Sequence, residues 1–195
     1  SVEIAHIITD GDGAFEFTKS LVAHYINLVD GTANKGESIT STRVTATEEE
    51  SENAYKRYHN GKAQKIPELT DSYAFSEKLD RNYVKVISGI MPVKALKERC
   101  HFHGVTVTEY LCAAAIYAAI KAENKPINNH IRISVPINLR KDFPSKTMRN
   151  FACDTTLSFS PEGRSDYSFD EIIKAIKDEI RKSLYIEKLQ NFINS

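Results

Sequence analysis

His6 and Asp10 stand four residues apart near the head of the chain, in the run His6-Ile7-Ile8-Thr9-Asp10-Gly11. A histidine at the mouth of a turn is a candidate general base. Imidazole is the side chain whose unperturbed titration falls between pH 5 and 8, so it can take a proton from a hydroxyl or an amine at working pH. Asp10, a short acidic group in a glycine-rich turn ahead of a helix, suits both the turn and the positive end of the helix. Gly11 lets the chain turn without a Cβ. Two rival chemistries start from other residue types. A metal site built from His6 and Asp10, or from Cys100, His101 and His103, lacks a spaced second ligand pair, so no metal is expected. The three cysteines, Cys100, Cys112 and Cys153, form no C-x-x-C motif and no disulfide framework, and none has a catalytic context. His24, His59 and His130 have no partners visible in sequence and read as structural or exposed.

The elements around His6 follow from hydrophobic periodicity. Val2, Ile4, His6 and Ile8 alternate like one face of a strand, and Gly11 and Gly13 mark the turn that ends it. Phe17, Leu21, Val22, Tyr25, Ile26 and Leu28 then recur at helical spacing from Ala14 to Val29. Residues 30–82 read as an exposed crossover, with a short helix near Glu50 to Tyr58 and a solvated acidic run, Glu48-Glu49-Glu50. Val84, Val86 and Ile87 predict a strand through Ile90, and Pro92 opens a short helix, Val93 to Cys100. Thr106 and Glu109 form a capping box for a helix to Ala122 that is apolar nearly all round and so buried. Ile131, Ile133, Val135, Ile137 and Leu139 alternate with polar residues as a strand, which Pro136 places at an edge or bulge. Phe151, Cys153, Thr155, Leu157 and Phe159 predict a second strand. Ser168 and Glu171 cap a helix with an Ile172, Ile176, Ile180, Leu184 stripe.

Composition sets outer bounds. The chain has 195 residues, 41% of them hydrophobic, which suits one segment of a globular domain with a real core. Lys+Arg and Asp+Glu are 26 each, so no global basic field invites nucleic acid. No apolar run reaches the length of a membrane span. Free cysteines and the lack of a signal-peptide pattern point to a reducing cytoplasm. The chain opens almost directly on a strand-like run and stops after a helical pattern, which suggests an excised piece or a processed chain.

His6-x-x-x-Asp10-Gly11 resembles the H-x-x-x-D-G signature of the chloramphenicol acetyltransferase-like superfamily, which includes CoA-dependent acyltransferases, alcohol acetyltransferases and condensation domains of peptide synthetases. Gly104-Val105-Thr106, Val135-Pro136-Ile137-Asn138-Leu139-Arg140 and Arg149-Asn150-Phe151 resemble its later segments, in the same order. Ala5 stands where many members carry a second histidine, and Arg149 where glycine is usual. The D-F-G-W-G element of the plant branch is absent. The resemblance implies an α/β fold, a two-layer sandwich of a mixed β-sheet packed with helices. It implies further strands before residue 1 and after residue 195, so that the chain is an incomplete piece of a two-lobed enzyme.

The resemblance also implies a chemistry. An acyl group moves from a thioester to a hydroxyl or amine acceptor, with His6 as general base and Asp10 salt-bridged to an arginine, for which Arg140 is a candidate. Thr9, Asn138 and Asn150 are candidate oxyanion donors. Arg132, Arg140, Lys141, Lys146 and Arg149 form a basic group suited to CoA phosphates, or simply a solvated basic loop. The co-substrate is acyl-CoA or an acyl-carrier thioester, with no bound cofactor. The partners are a small-molecule acceptor and a carrier protein or the rest of the fold. An amide-forming condensation domain, and a non-catalytic module that keeps the fold, are the alternatives.

Overall fold

The structure is a computed structural model that describes residues 2–31, 45–65, 69–75 and 80–195. It is a mixed α/β chain in which helices pack on a small antiparallel sheet. Among the described residues there are seven α-helices and two strands, in the order α1 (Gly11–Asp30), α2 (Glu48–Ser51), α3 (Ala54–Tyr58), α4 (Val93–Phe102), α5 (Val107–Glu123), β1 (Ile131–Asn138), β2 (Ala152–Phe159), α6 (Phe169–Ser183) and α7 (Ile186–Ile193). Among them, no single helix is long and apolar enough to cross a membrane.

The chain divides into two compact units. One comprises Ser1–Gln64, Pro136–Asp154 and Ile186–Ser195 and contains the candidate residues. Its core gathers Ala54, Leu139, Phe143, Phe151, Cys153, Leu189 and Ile193, with Tyr55 and Tyr58 packed against them. Phe151 is fully buried, and Tyr55 meets it edge-on at 5.1 Å between ring centroids. The expected exposed crossover therefore needs correcting where it is described: α3 turns Ala54 inward and supplies two aromatic rings to this core. The short helix expected near Glu50 to Tyr58 is present as α3, and what the polar, glycine-marked composition did not reveal is its packing into the core. Residues 32–44, 66–68 and 76–79 of that crossover lie outside the described residues.

The other unit comprises Lys65–Val135 and Thr155–Tyr185. Here α5 and α6 pack against each other, burying Ala113, Ile116, Ile120, Ile172 and Ile176. Both helices begin at reciprocal capping boxes, Thr106 with Glu109 and Ser168 with Glu171. Helix α4 ends in a Schellman turn: the Val105 N–H donates to the Cys100 carbonyl and the Gly104 N–H to that of His101, both at 3.0 Å. Gly104 takes the left-handed conformation this turn requires, φ +63°.

Two expected strands are absent. Residues 2–5 are irregular and residues 6–8 form a turn, closed by the Ile8 N–H on the Ala5 carbonyl at 2.9 Å. Residues 84–90 have no strand pairing, and Val84, Val86, Ile87 and Ile90 are exposed. Alternation marks which face of a strand is apolar, but a strand forms only where its N–H and C=O groups meet a partner. Among the described residues, β1 and β2 are the one ladder pair, apart from an isolated bridge between Ser72 and His130.

The cysteines are free and buried. Burial, and then the charge of Asp154, push the Cys153 thiol up to about 11, and burial raises Cys112 as well. The thiolate is the reactive form. Iodoacetamide at mildly alkaline pH should therefore leave Cys153 and Cys112 unmodified in the folded protein and label both after denaturation. Rapid labelling of Cys153 in the native state, read by peptide mass mapping, would contradict this burial.

Candidate active site

Asp10 caps α1. Its Oδ1 accepts from the backbone N–H groups of Asp12 and Gly13, each at 3.2 Å. Its Oδ2 accepts from Arg140 Nη1 at 2.8 Å and from the Phe151 N–H at 2.7 Å. The carboxylate is therefore saturated, and the ion pair is nearly dry, with side chains 5% and 10% exposed for Asp10 and Arg140. Burial alone would raise the Asp10 pKa. The Arg140 hydrogen bond, the N–H groups of Phe151 and Gly13, and the arginine charge outweigh it, and hold the carboxyl below its ordinary value.

Arg140 is aimed by a short 3₁₀ turn, Leu139–Lys141, that follows β1. Asn138 caps that turn: its Oδ1 accepts from the Arg140 backbone N–H at 3.0 Å and from Nη1 at 3.2 Å. Nη2 reaches the carbonyls of Thr147 and Arg149 at 2.9 and 2.7 Å. Thr9 adds a second tie, its hydroxyl donating to the Met148 carbonyl at 2.6 Å. Residues 9–10 are thus fastened to residues 147–151, just after the turn that carries His6.

The glycine that this packing demands is Gly13. A Cβ there would stand 2.1 Å from Thr9 Oγ1 and 2.5 Å from the Met148 carbonyl oxygen, whereas a Cβ on Gly11 would meet nothing within 4 Å. Of the two glycines expected to mark the turn, Gly11 is simply the first residue of α1. Gly13→Ala should therefore destabilise by about 1–3 kcal/mol or more through overpacking. Gly11→Ala should be neutral or stabilising by about 0.4–1 kcal/mol, since it restricts the unfolded chain. Denaturant midpoints of the two variants measure this, and equal shifts would refute the assignment.

His6 is exposed, in the turn rather than at the end of a strand. Its carbonyl accepts from Asn150 Nδ2 at 2.7 Å. The next two residues, Ile7 and Ile8, line a hollow of about 340 Å³ together with Asn53, Ala54, Tyr55, Arg149 and Asn150. Tyr55 is fixed there, because its hydroxyl donates to the Ala152 carbonyl and accepts from the Ala152 N–H. A larger hollow, about 530 Å³, runs along α4 beside Val93, Lys97 and His101 and contains none of the candidate residues.

Of the expected oxyanion donors, Thr9 donates its hydroxyl to the Met148 carbonyl and Asn150 an amide N–H to the His6 carbonyl, whereas Asn138 is held only through its accepting Oδ1, as the cap of the Arg140 turn. Two members of the expected basic group are taken up by acids: Arg140 is buried in the Asp10 pair, and Lys146 pairs with Glu49 at 2.7 Å. Sequence reasoning passed over Thr147 and Tyr55, which leave no local signal; Gly13 was legible only as one of the two glycines of the turn, the second of Asp10-Gly11-Asp12-Gly13. Among the described residues, no three His, Cys, Asp or Glu side chains converge as a metal site.

These features describe an α/β chain whose histidine turn is fixed by a buried aspartate–arginine pair. No family model and no curated protein matches the sequence. Among solved structures, the chain is similar to the first condensation domain of the calcium-dependent antibiotic synthetase, determined in complex with a substrate analogue. The TM-score is 0.50 at 16% sequence identity, over 98% of this chain and 44% of that one. The likeness places the fold with that of a condensation domain, and the chain spans less than half the length of the one it matches.

Proposed function

We propose that the protein transfers an acyl group from a thioester to a hydroxyl or an amine, with His6 as general base. The observation that carries this reading is the Asp10–Arg140 pair, which fixes the turn after His6 within a fold similar to a condensation domain. The His6 imidazole takes the proton from the acceptor as its oxygen or nitrogen attacks the thioester carbonyl. The tetrahedral intermediate collapses with loss of the thiolate, and the imidazolium returns the proton to the departing sulfur. Asp10, saturated by Arg140 and three N–H groups, holds the turn and does not meet substrate. No metal enters this scheme.

A carrier-bound thioester as donor, with amide formation, is the second reading. It is favoured by the likeness to a domain of a peptide synthetase, and a carrier protein is then the partner. Incubating the full-length protein with acetyl-CoA and a panel of primary alcohols and amines, and following thiol release, tests the first reading. Release that requires an acceptor supports it. Transfer only from a carrier-bound pantetheine thioester selects the second. Failure of both donors identifies a module that keeps the fold without the chemistry.

A further inference from the structure

We infer that Asn150 is a positioning residue for His6, a role that rests on the reading of His6 as the base. The His6 turn is short and exposed, and two main-chain hydrogen bonds shape it. One is local, the Ile8 N–H on the Ala5 carbonyl at 2.9 Å. The other crosses 144 positions of sequence, from Asn150 Nδ2 to the carbonyl of His6 itself, at 2.7 Å. The second bond fixes the peptide that carries the imidazole, and hence the direction in which the Cα–Cβ bond points.

Asn150 is itself held from both sides. The Arg149 carbonyl before it accepts from Arg140 Nη2 at 2.7 Å, and the Phe151 N–H after it donates to Asp10 Oδ2 at 2.7 Å. The buried ion pair thus acts on the base through Asn150 as well as through the cap of α1. The amide oxygen of Asn150 is buried with no hydrogen-bond partner. The amide cannot turn over to relieve it, since two carbonyl oxygens would then face each other. Asn150 also lines the hollow beside Ile7 and Ile8, so the same residue borders both the base and the space next to it.

The test compares Asn150→Ala and Asn150→Asp in the full-length protein, with acetyl-CoA as donor and the best acceptor of the panel, or a carrier-bound pantetheine thioester where that is the active donor. Aspartate keeps the shape of asparagine but its carboxylate cannot donate. Both variants should lower kcat by about 10- to 100-fold, the effect of misplacing a reacting group by about an ångström. KM for both substrates should stay at wild-type values in Asn150→Ala, because the imidazole and the remaining lining of the hollow are unchanged. Wild-type kcat in either folded variant overturns the inference. So does loss of folded protein in both, which would assign Asn150 to the fold alone. His6→Ala separates the two levels: if it retains wild-type transfer, the underlying reading fails, whereas an inactive His6→Ala beside fully active Asn150 variants refutes the positioning role only.

Discussion

Replacing His6 with alanine in the full-length protein should lower acyl-transfer turnover by about 10²–10⁴, the range of a positioned general base. Stability should stay within about 0.5 kcal/mol of wild type, as for other surface substitutions. The reason lies in how His6 is held. Its side chain is exposed, and its long-range hydrogen bond is made by the main-chain carbonyl, which alanine keeps. The imidazole can therefore be removed without disturbing the turn, the Asp10 cap or the core beneath. The wild-type rate should climb with pH as the base loses its proton, and the residual rate of the variant should lack that limb. EDTA should change neither. A folded His6→Ala protein with wild-type transfer, or transfer abolished by chelation, would refute His6 as the base.

The elements legible in the sequence are those whose cause is local. Thr106 with Glu109 and Ser168 with Glu171 are each complete within four residues, and both helix starts fall where those residues put them. The alternations of Ile131 to Leu139 and Phe151 to Phe159 read correctly as strands because each segment has the other as its partner. The same alternation from Val2 to Ile8 and at Val84 to Ile90 produced none, since the pattern says nothing about a partner. At the site, the residue types of His6, Asp10 and Arg140 were legible and their geometry was not. Asp10 and Arg140 lie 130 positions apart, and only the fold brings them to 2.8 Å. Asn150 was legible as a polar residue before a strand. That its amide nitrogen faces His6 rather than a substrate depends on how residues 147–151 are anchored, which no local pattern encodes.

Arg140→Ala should be the most destabilising of these substitutions, by about 3–5 kcal/mol, the usual cost of removing one partner from a buried ion pair. The guanidinium reaches Asp10, Asn138 and the carbonyls of Thr147 and Arg149. Alanine leaves a carboxylate that is 5% exposed without its cation, and two carbonyls without their donor. Arg140→Lys should recover little, because a single ammonium cannot span the positions that the planar fork reaches. The pH dependence gives an independent reading. In the folded wild type the Asp10 pKa lies below its ordinary value of 3.8. Its contribution to stability is therefore fully present above that value and is lost as the pH falls through the folded pKa. Without Arg140, the strongest of the lowering influences is gone while burial still raises the pKa, so the acid limb of the variant should move to higher pH. Asp10→Asn in the Arg140→Ala background removes the stranded charge and should recover part of the loss, with a flatter acid limb. Urea midpoints across about pH 3 to pH 7 measure all three variants. An Arg140→Ala protein within about 0.5 kcal/mol of wild type, with an unmoved acid limb, would mean that the N–H groups of Gly13 and Phe151 alone suffice to hold the Asp10 carboxylate.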